Sequence, residues 1–473
     1  MKTQSSAMFS EDRFQARKQA EAAFSEGVAL MTAGNNELAE ERFRTATQLS
    51  PDFAQAHANL GYLLEQRHEL AAAELCYLQA AGLGAREPEV FLNLGALLCR
   101  AKRFAESLAV YEEGLRVAPH HATLWSNLGA LHACQRHPEQ AEKCYRRALE
   151  LYPGHVSASF NLGTLLLQRG DFAQGWAYLE ARDWYEALAA RLAFPRWRGQ
   201  SLQNKRILIT CEAGHGDMIQ FCRYAQDLKN QGAAWVAVLC HPALKRLFAT
   251  LDGLDEVFAL GDYVSAEGWD YWTPPLSLPF LCNTRINTIP CRIPYVHVHP
   301  NEATAWQARL PRQGLRIGLV WKGSTKFEND AARSIPHLKM LTPLWRVANV
   351  SFVSLQKGAG ETEVHELPSD HPIQALGPEL KDFADTAALI CGLDLIISVD
   401  TAVAHLAGAL GVPCWLMLPY YRADWRWLNR RSDSPWYPQG MRIFRQRSAD
   451  SWPNLINEIK AALGELARHR IKP

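Results

Sequence analysis

Residues 127–148 read NLGALHACQRHPEQAEKCYRRA, and the markers in this stretch return at a spacing of 34 residues. Asn-Leu-Gly recurs at 59–61, 93–95 and 161–163, and Gly27 keeps the same phase. Ala39, Ala73, Ser107 and Ala141 stand twelve positions past a glycine, and Ala46, Ala80, Gly114 and Ala148 nineteen past. Phe43, Tyr77, Tyr111 and Tyr145 recur in phase, while Pro51, Pro119 and Pro153 stand where a helix must end, since proline has no amide to continue it. Small facing residues let two helices approach closely, and the aromatics fill the space between successive pairs. Such a period describes stacked helical hairpins, none of which buries its apolar face without a neighbour.

A 34-residue hairpin of this pattern resembles the tetratricopeptide repeat. Four full repeats are expected from Ala20 to His155, after an extension over 1–19. A fifth starts at Val156 and drifts after Gly175, where Trp176, Tyr178, Trp184 and Tyr185 are expected to seal the array, taken as 20–190, against the next domain. Stacking puts Asn59, Asn93, Asn127 and Asn161 in a line. An amide both donates and accepts, which suits the backbone of an extended peptide acceptor; the alternative is that each asparagine satisfies a local backbone group.

The 473 residues exceed one hydrophobic core, and 48% hydrophobic with 21% charged residues describes a globular chain. A net charge of +1 gives no electrostatic case for nucleic acid as partner. Residues 1–20 lack the apolar core of a secretory signal, and the most apolar stretch, 387–418, is broken by Asp394, Asp400, His405 and Pro413. A cytoplasmic location without an integral membrane segment is expected. The eleven cysteines form no Cys-x-x-Cys pair and fit reduced thiols.

Beyond a bridge at 191–203, short apolar runs alternate with helical stretches. Strands are expected at 206–210, 234–240 and 255–260, with helices near 218–230 and 242–251, then a loop-like region over 273–300. A second series has strands at 315–321, 350–355, 393–399 and 412–417, a helix at 401–410 and a crossing helix near 452–467. The fold class is therefore an α-solenoid followed by an α/β region of two Rossmann-like lobes, 204–300 and 301–473. In such sheets ligands lie beyond the carboxyl ends of the strands.

At those ends stand the chemically suggestive residues. The first strand enters Cys211-Glu-Ala-Gly-His-Gly-Asp217, where Asp217 either takes a proton from an acceptor hydroxyl or caps a helix. His215 is a second, acceptor-side candidate. Lys322, before Gly-Ser-Thr325, and Arg333 suit a diphosphate whose charge grows as it leaves, or are solvated loop charges. The segment Ser398–His405 joins a strand to a helix, so the amides of Thr401 and Ala402 suit phosphate, with Asp400 as a possible cap and His405 reaching the phosphate or packing inside. Gln356 opens a Lys-Gly-Ala-Gly loop, and Asp382-Phe-Ala-Asp385 opens a helix. Neither a Rossmann glycine fingerprint nor a Walker lysine loop is present. The strip 419–447 has seven arginines against only Asp424 and Asp433, and either lines the cleft or docks the crossing helix.

Taken in order, GHGDMIQF (214–221), GLVWKGS (318–324), RSIP (333–336), SLQKG (354–358), DFADTAAL (382–389), SVDTAVAHLAGALG (398–411) and DSPWYP (433–438) resemble the heptosyltransferase-like, family nine glycosyltransferases of GT-B fold. The resemblance spans nearly the whole chain and implies transfer from a nucleotide-diphospho-sugar as co-substrate. It implies Asp217 as base, with Asp400, Thr401 and His405 near the donor, Lys322 on phosphate and Gln356 near the nucleoside. Relatives often carry leucine where His215 stands. Repeats joined to such lobes are similar to O-GlcNAc transferase, which implies a polypeptide acceptor held along the asparagine line. With no Asp-x-Asp triplet, neither metal nor other cofactor is expected. Two alternatives remain: a glycan or lipopolysaccharide acceptor with repeats that only localise the enzyme, and an interaction scaffold whose sugar-nucleotide lobes are inactive.

Overall fold

The computed structural model describes residues 2–368, 371–449 and 451–469, without the side chains of 2–12, 187 and 188. The chain forms two compact units, one up to Leu162 and one from Gly163 onward.

In the first unit the helices pair as the 34-residue phase requires. Lys2–Thr32 pairs with Asn36–Leu49, Ala54–Gln66 with Leu70–Gly82, Pro88–Arg100 with Phe104–Val117, and Ala122–Cys134 with Pro138–Leu151; Val156–Arg169 begins the next pair. The first helix runs from Lys2 through the expected extension into the first repeat. The glycine markers have a packing cause. A Cβ on Gly27, Gly61, Gly95 or Gly129 would come closer than 3.0 Å to the ring of Phe43, Tyr77, Tyr111 or Tyr145 respectively. Where serine replaces alanine, Ser107 Oγ donates to the Gly95 carbonyl at 2.7 Å. Asn59, Asn93, Asn127 and Asn161 are each half-buried at one position of their helices. Asn93 and Asn127 are hydrogen-bonding neighbours of Tyr77 and Tyr111, so part of the line has a local use.

The second unit begins inside the fifth repeat. Its core already includes Phe172–Leu179, the second helix of the fifth repeat. Phe172 and Trp176 lie 6.1 and 6.3 Å from the Trp436 ring, and the Trp176 indole donates to the Thr284 carbonyl at 3.1 Å. The aromatic drift after Gly175 thus marks where a repeat helix is built into the α/β core. The bridge joins it too: the amide of Trp197 donates to the carbonyl of Trp272 at 2.7 Å.

Two parallel sheets follow. The first contains β1 (Arg206–Ile209), β2 (Trp235–Cys240), β3 (Glu256–Ala259) and β4 (Tyr271–Thr273) in the order β3-β2-β1-β4. The second contains β5 (Leu315–Val320), β6 (Val350–Ser354), β7 (Ile373–Ala375), β8 (Leu395–Val399), β9 (Cys414–Leu418) and β10 (Met441–Arg445) in the order β10-β9-β8-β5-β6-β7. Each pairing between these strands is parallel. β8 and β9 are buried throughout, as strands covered on both faces must be, which explains their unbroken apolar runs. The sequence reading missed β4, β7 and β10. Its two long first-lobe helices are broken by 3-10 turns at Cys222–Tyr224 and Pro242–Leu244.

The closing helix, Trp452–His469, lays Trp452, Leu455, Ile456, Ile459 and Leu463 into the core of the second sheet with Trp321, Phe352 and Phe444. Burial of each such side chain contributes about 1.5–3 kcal/mol. Strand order reverses beside β1 in the first sheet and between β5 and β8 in the second. At these switch points adjacent crossovers leave to opposite faces and open a crevice. The loops after β1, β5 and β8 carry Asp217, Lys322 and Asp400.

Candidate active site

Asp217 lies in the first turn of the helix His215–Phe221, where its Oδ2 accepts the Gly214 amide at 2.8 Å. One oxygen is thus a cap; the other forms an ion pair with Arg426. Of the two roles weighed from the sequence, the cap takes one oxygen, and Arg426 rather than a substrate holds the other. Directly opposite is the helix Ala402–Leu410, which opens with Thr401 as N-cap and no side-chain cap. Asp400 consequently does not cap it. The Thr401 hydroxyl lies 3.1 Å from Ser398 Oγ, so the first amides of the helix are left to other acceptors.

Asp400 sits where charge is costly. Burial, with the neighbouring Asp424 carboxylate adding to it, pushes its carboxyl up to about 7, against the pull of Arg333 and Arg426. Arg426 is held by Asp424, with Nη1 donating at 3.0 and 2.9 Å to its two oxygens. Its guanidinium lies 4.5 Å from the Trp425 ring and 5.3 Å from Phe221. The backbone around it is anchored by the fifth repeat: Gln168 Nε2 donates to Ala423 O at 3.2 Å, and the Asn429 amide donates to Gln168 O at 2.9 Å.

Several candidates are placed differently from their expected roles. His405 is enclosed rather than turned to a ligand, with Nδ1 2.9 Å from the Tyr437 hydroxyl and its ring stacked on Trp427 at 5.0 Å. Burial holds its pKa well below the usual histidine range, with Arg426 and Arg223 adding to the effect. Gln356 does not reach for a nucleoside. Its Oε1 accepts the amides of Trp321 and Lys322, both at 3.0 Å, and its Nε2 donates to the carbonyls of Lys322 and Ala359, so the side chain ties two loops together. His215 packs against His241 and Phe383 at 4.6 and 5.1 Å; burial, then His241, pushes its pKa down to about 4. It is neutral at pH 7.

On the second sheet Lys322 pairs with buried Glu363, which also accepts the Trp321 indole at 2.9 Å and the Leu338 amide at 2.8 Å. Arg333 Nη2 donates to Asp330 Oδ1 at 2.8 Å, and its guanidinium occupies the place a Cβ on Gly323 would take. Asp382 caps its helix, accepting the Ala384 and Asp385 amides, and with Asp385 and Glu302 it holds Arg246 of the first lobe.

Glu212, Glu363, Asp424 and Arg426 were not singled out from the sequence. Arg426 and Asp424 lie in the arginine-rich strip, and Glu212 lies in the quoted first loop, so position was their only signal. Glu212 is buried against Arg182, with Nε donating to Oε1 at 2.6 Å and Nη2 to Oε2 at 3.3 Å, and it also accepts the Trp184 indole at 2.7 Å. The segment between helical array and sheet thus grips the loop that carries Asp217.

Residues 87–154, and separately 24–88 and 134–193, match tetratricopeptide repeats. Residues 346–415 match glycosyltransferase family 9 (heptosyltransferase), a segment that includes Gln356, Glu363, Asp400, Thr401, Ala402 and His405. One part of the chain is thus similar to tetratricopeptide repeats and another to glycosyltransferase family 9. It is 31% identical over 332 residues to Protein FlbA of Caulobacter vibrioides, covering 64% of this chain and 54% of that protein, so it spans about half the length of that relative. Similar solved structures include PilF of Pseudomonas aeruginosa, 25% identical over 36% of this chain and 76% of that one, with a TM-score of 0.32. YrrB, described as a TPR protein with an unusual peptide-binding site, is 18% identical over 39% of this chain and 97% of that one, also with a TM-score of 0.32. Among the described residues no helix is long and apolar enough to cross a membrane. Asp217, Lys322, Arg333, Asp424 and Arg426 are among the residues that lie outside the matched family 9 segment.

Proposed function

We propose that this chain transfers a sugar from a nucleotide-diphospho-sugar to a polypeptide presented by its repeats. The observation that carries the reading is the placement of Asp217 at a strand's carboxyl end, facing the opening turn of the Thr401 helix across the crevice. An acceptor hydroxyl attacks the anomeric carbon while Asp217 takes its proton, and the sugar–phosphate bond breaks with its electron pair leaving on the nucleotide. The opening amides of the Thr401 helix, with Lys322 and Arg333 nearby, neutralise the leaving phosphate, and the reading assigns that task to no metal or other cofactor. Asp400, His405 and Gln356 shape the donor side from within. The polypeptide acceptor rests on the half-buried asparagine line, and a cytoplasmic location belongs to the same reading.

The family description, heptosyltransferase, favours a second reading in which a glycan is the acceptor and the repeats only localise the enzyme. Removal of residues 1–155 separates the two. A polypeptide transferase loses transfer to its protein substrate and keeps nucleotide binding, whereas a glycan transferase keeps its activity. Thermal stabilisation by ADP-, UDP-, GDP- and dTDP-linked sugars identifies the donor; no stabilisation by any nucleotide sugar favours an inactive scaffold.

A further inference from the structure

Arg426 and Arg182 are both buried arginines that grip carboxylates, and the contrast between them is informative. Arg182 presents its Nε/Nη2 edge to both oxygens of Glu212, which fills the fork. Arg426 presents the same edge to Asp217 by Nη2 alone, and its buried Nε has no hydrogen-bond partner among the described residues. A buried donor left unmet costs about 1–3 kcal/mol, so a half-filled fork points to a missing oxygen. The flanking backbone is strained as well: Arg422, Leu428 and Arg430 have φ of 50°, 51° and 62°, and Leu428 combines this with ψ of 167°, a region ordinarily left to glycine. The ends of the segment are tied to Gln168, so the part free to change partners is the side chain. It is 8% exposed, while Asp217 is 24% exposed and open to the crevice.

Resting on the function proposed above, we infer that Arg426 is shared between Asp217 and the donor phosphate. Without donor it stays on Asp217, where it occupies the oxygen that the Gly214 amide leaves open. A phosphate offers two oxygens to the Nε/Nη2 edge and draws the guanidinium off, while Asp424 keeps hold of Nη1. Asp217 is then released to accept the acceptor's proton only when a donor is in place.

Calorimetric titration of the full chain with ADP, CDP, GDP, UDP and dTDP tests this, and the tightest binder serves as the probe. Because Asp217 competes for Arg426, Asp217→Asn should bind the probe at least about fivefold more tightly than the wild type. Asparagine still accepts the Gly214 amide, so the fold is retained. Arg426→Lys lacks the fork and should bind about tenfold more weakly, and adding Asp217→Asn to it should bring no gain. If R426K does not fold, the Asp217→Asn comparison decides alone. Unchanged or weaker binding by Asp217→Asn, or a gain that persists without Arg426, overturns the inference and leaves the transferase reading standing. Failure of every nucleotide to bind the wild type overturns both.

Discussion

His405 lies so close beneath Gly216 that a Cβ there would stand 2.9 Å from its Cδ2 and 3.4 Å from the Cα of Ala402. The two loops that carry Asp217 and Thr401 are therefore seated on each other through a residue without a side chain. Gly216→Ala should cost about 1–3 kcal/mol by overpacking, since His405 is locked between Trp427 and Tyr437. Chemical denaturation measures it, and His405→Ala, which opens space at the contact, should recover part of the loss. A neutral Gly216→Ala would contradict this packing.

Half-buried Asp400 makes stability depend on pH. Its carboxyl ionises near 7 in the folded protein against an ordinary 3.8, so the native state keeps a proton that the unfolded chain releases between these values. The contribution is full below about pH 3.8, falls as pH rises and levels off above about 7. Asp400→Asn preserves the neutral form. Its melting temperature should gain on that of the wild type as pH rises from about 4 to 7, and parallel melting curves would contradict the assignment.

Arg182 and Glu212 are both buried, so removal of Glu212 breaks a buried ion pair and leaves Arg182 only Glu180, at 2.7 Å, as a charged partner. Glu212→Gln should destabilise the second unit by about 3–5 kcal/mol, and the double change Arg182→Met with Glu212→Leu should restore much of this. Tryptophan fluorescence during denaturation reports the transition, because Trp184 bonds to the same carboxylate.

The repeat array was legible because its cause is local and repeated: the in-phase Gly27, Gly61, Gly95 and Gly129 each lie under a ring sixteen positions on, as Gly61 lies under Tyr77. The loops holding Asp217, Lys322 and Thr401 were legible because each follows a run of buried apolar strand residues. Three-residue strands such as Tyr271–Thr273 are too short to show a pattern, and Met441–Arg445, at the sheet edge, is an apolar run broken by two arginines. Burial was the main thing hidden. Gln356 was read as a nucleoside contact, and His405 as reaching the phosphate or packing inside, since strand ends usually face a crevice; backbone groups surround the first and aromatic rings the second. Arg426 was seen only as part of a basic strip, because its partners Asp217 and Asp424 come from opposite sides of the crevice, and Glu363 gives no sign of its meeting with Lys322.

The central claim is that Asp217 acts as the base of sugar transfer. It is tested most directly by measuring transfer and nucleotide binding side by side for the wild type and Asp217→Asn. The account predicts that transfer falls by about 10²–10⁴-fold while nucleotide binding is kept or tightened. Transfer at the wild-type rate by Asp217→Asn would contradict it.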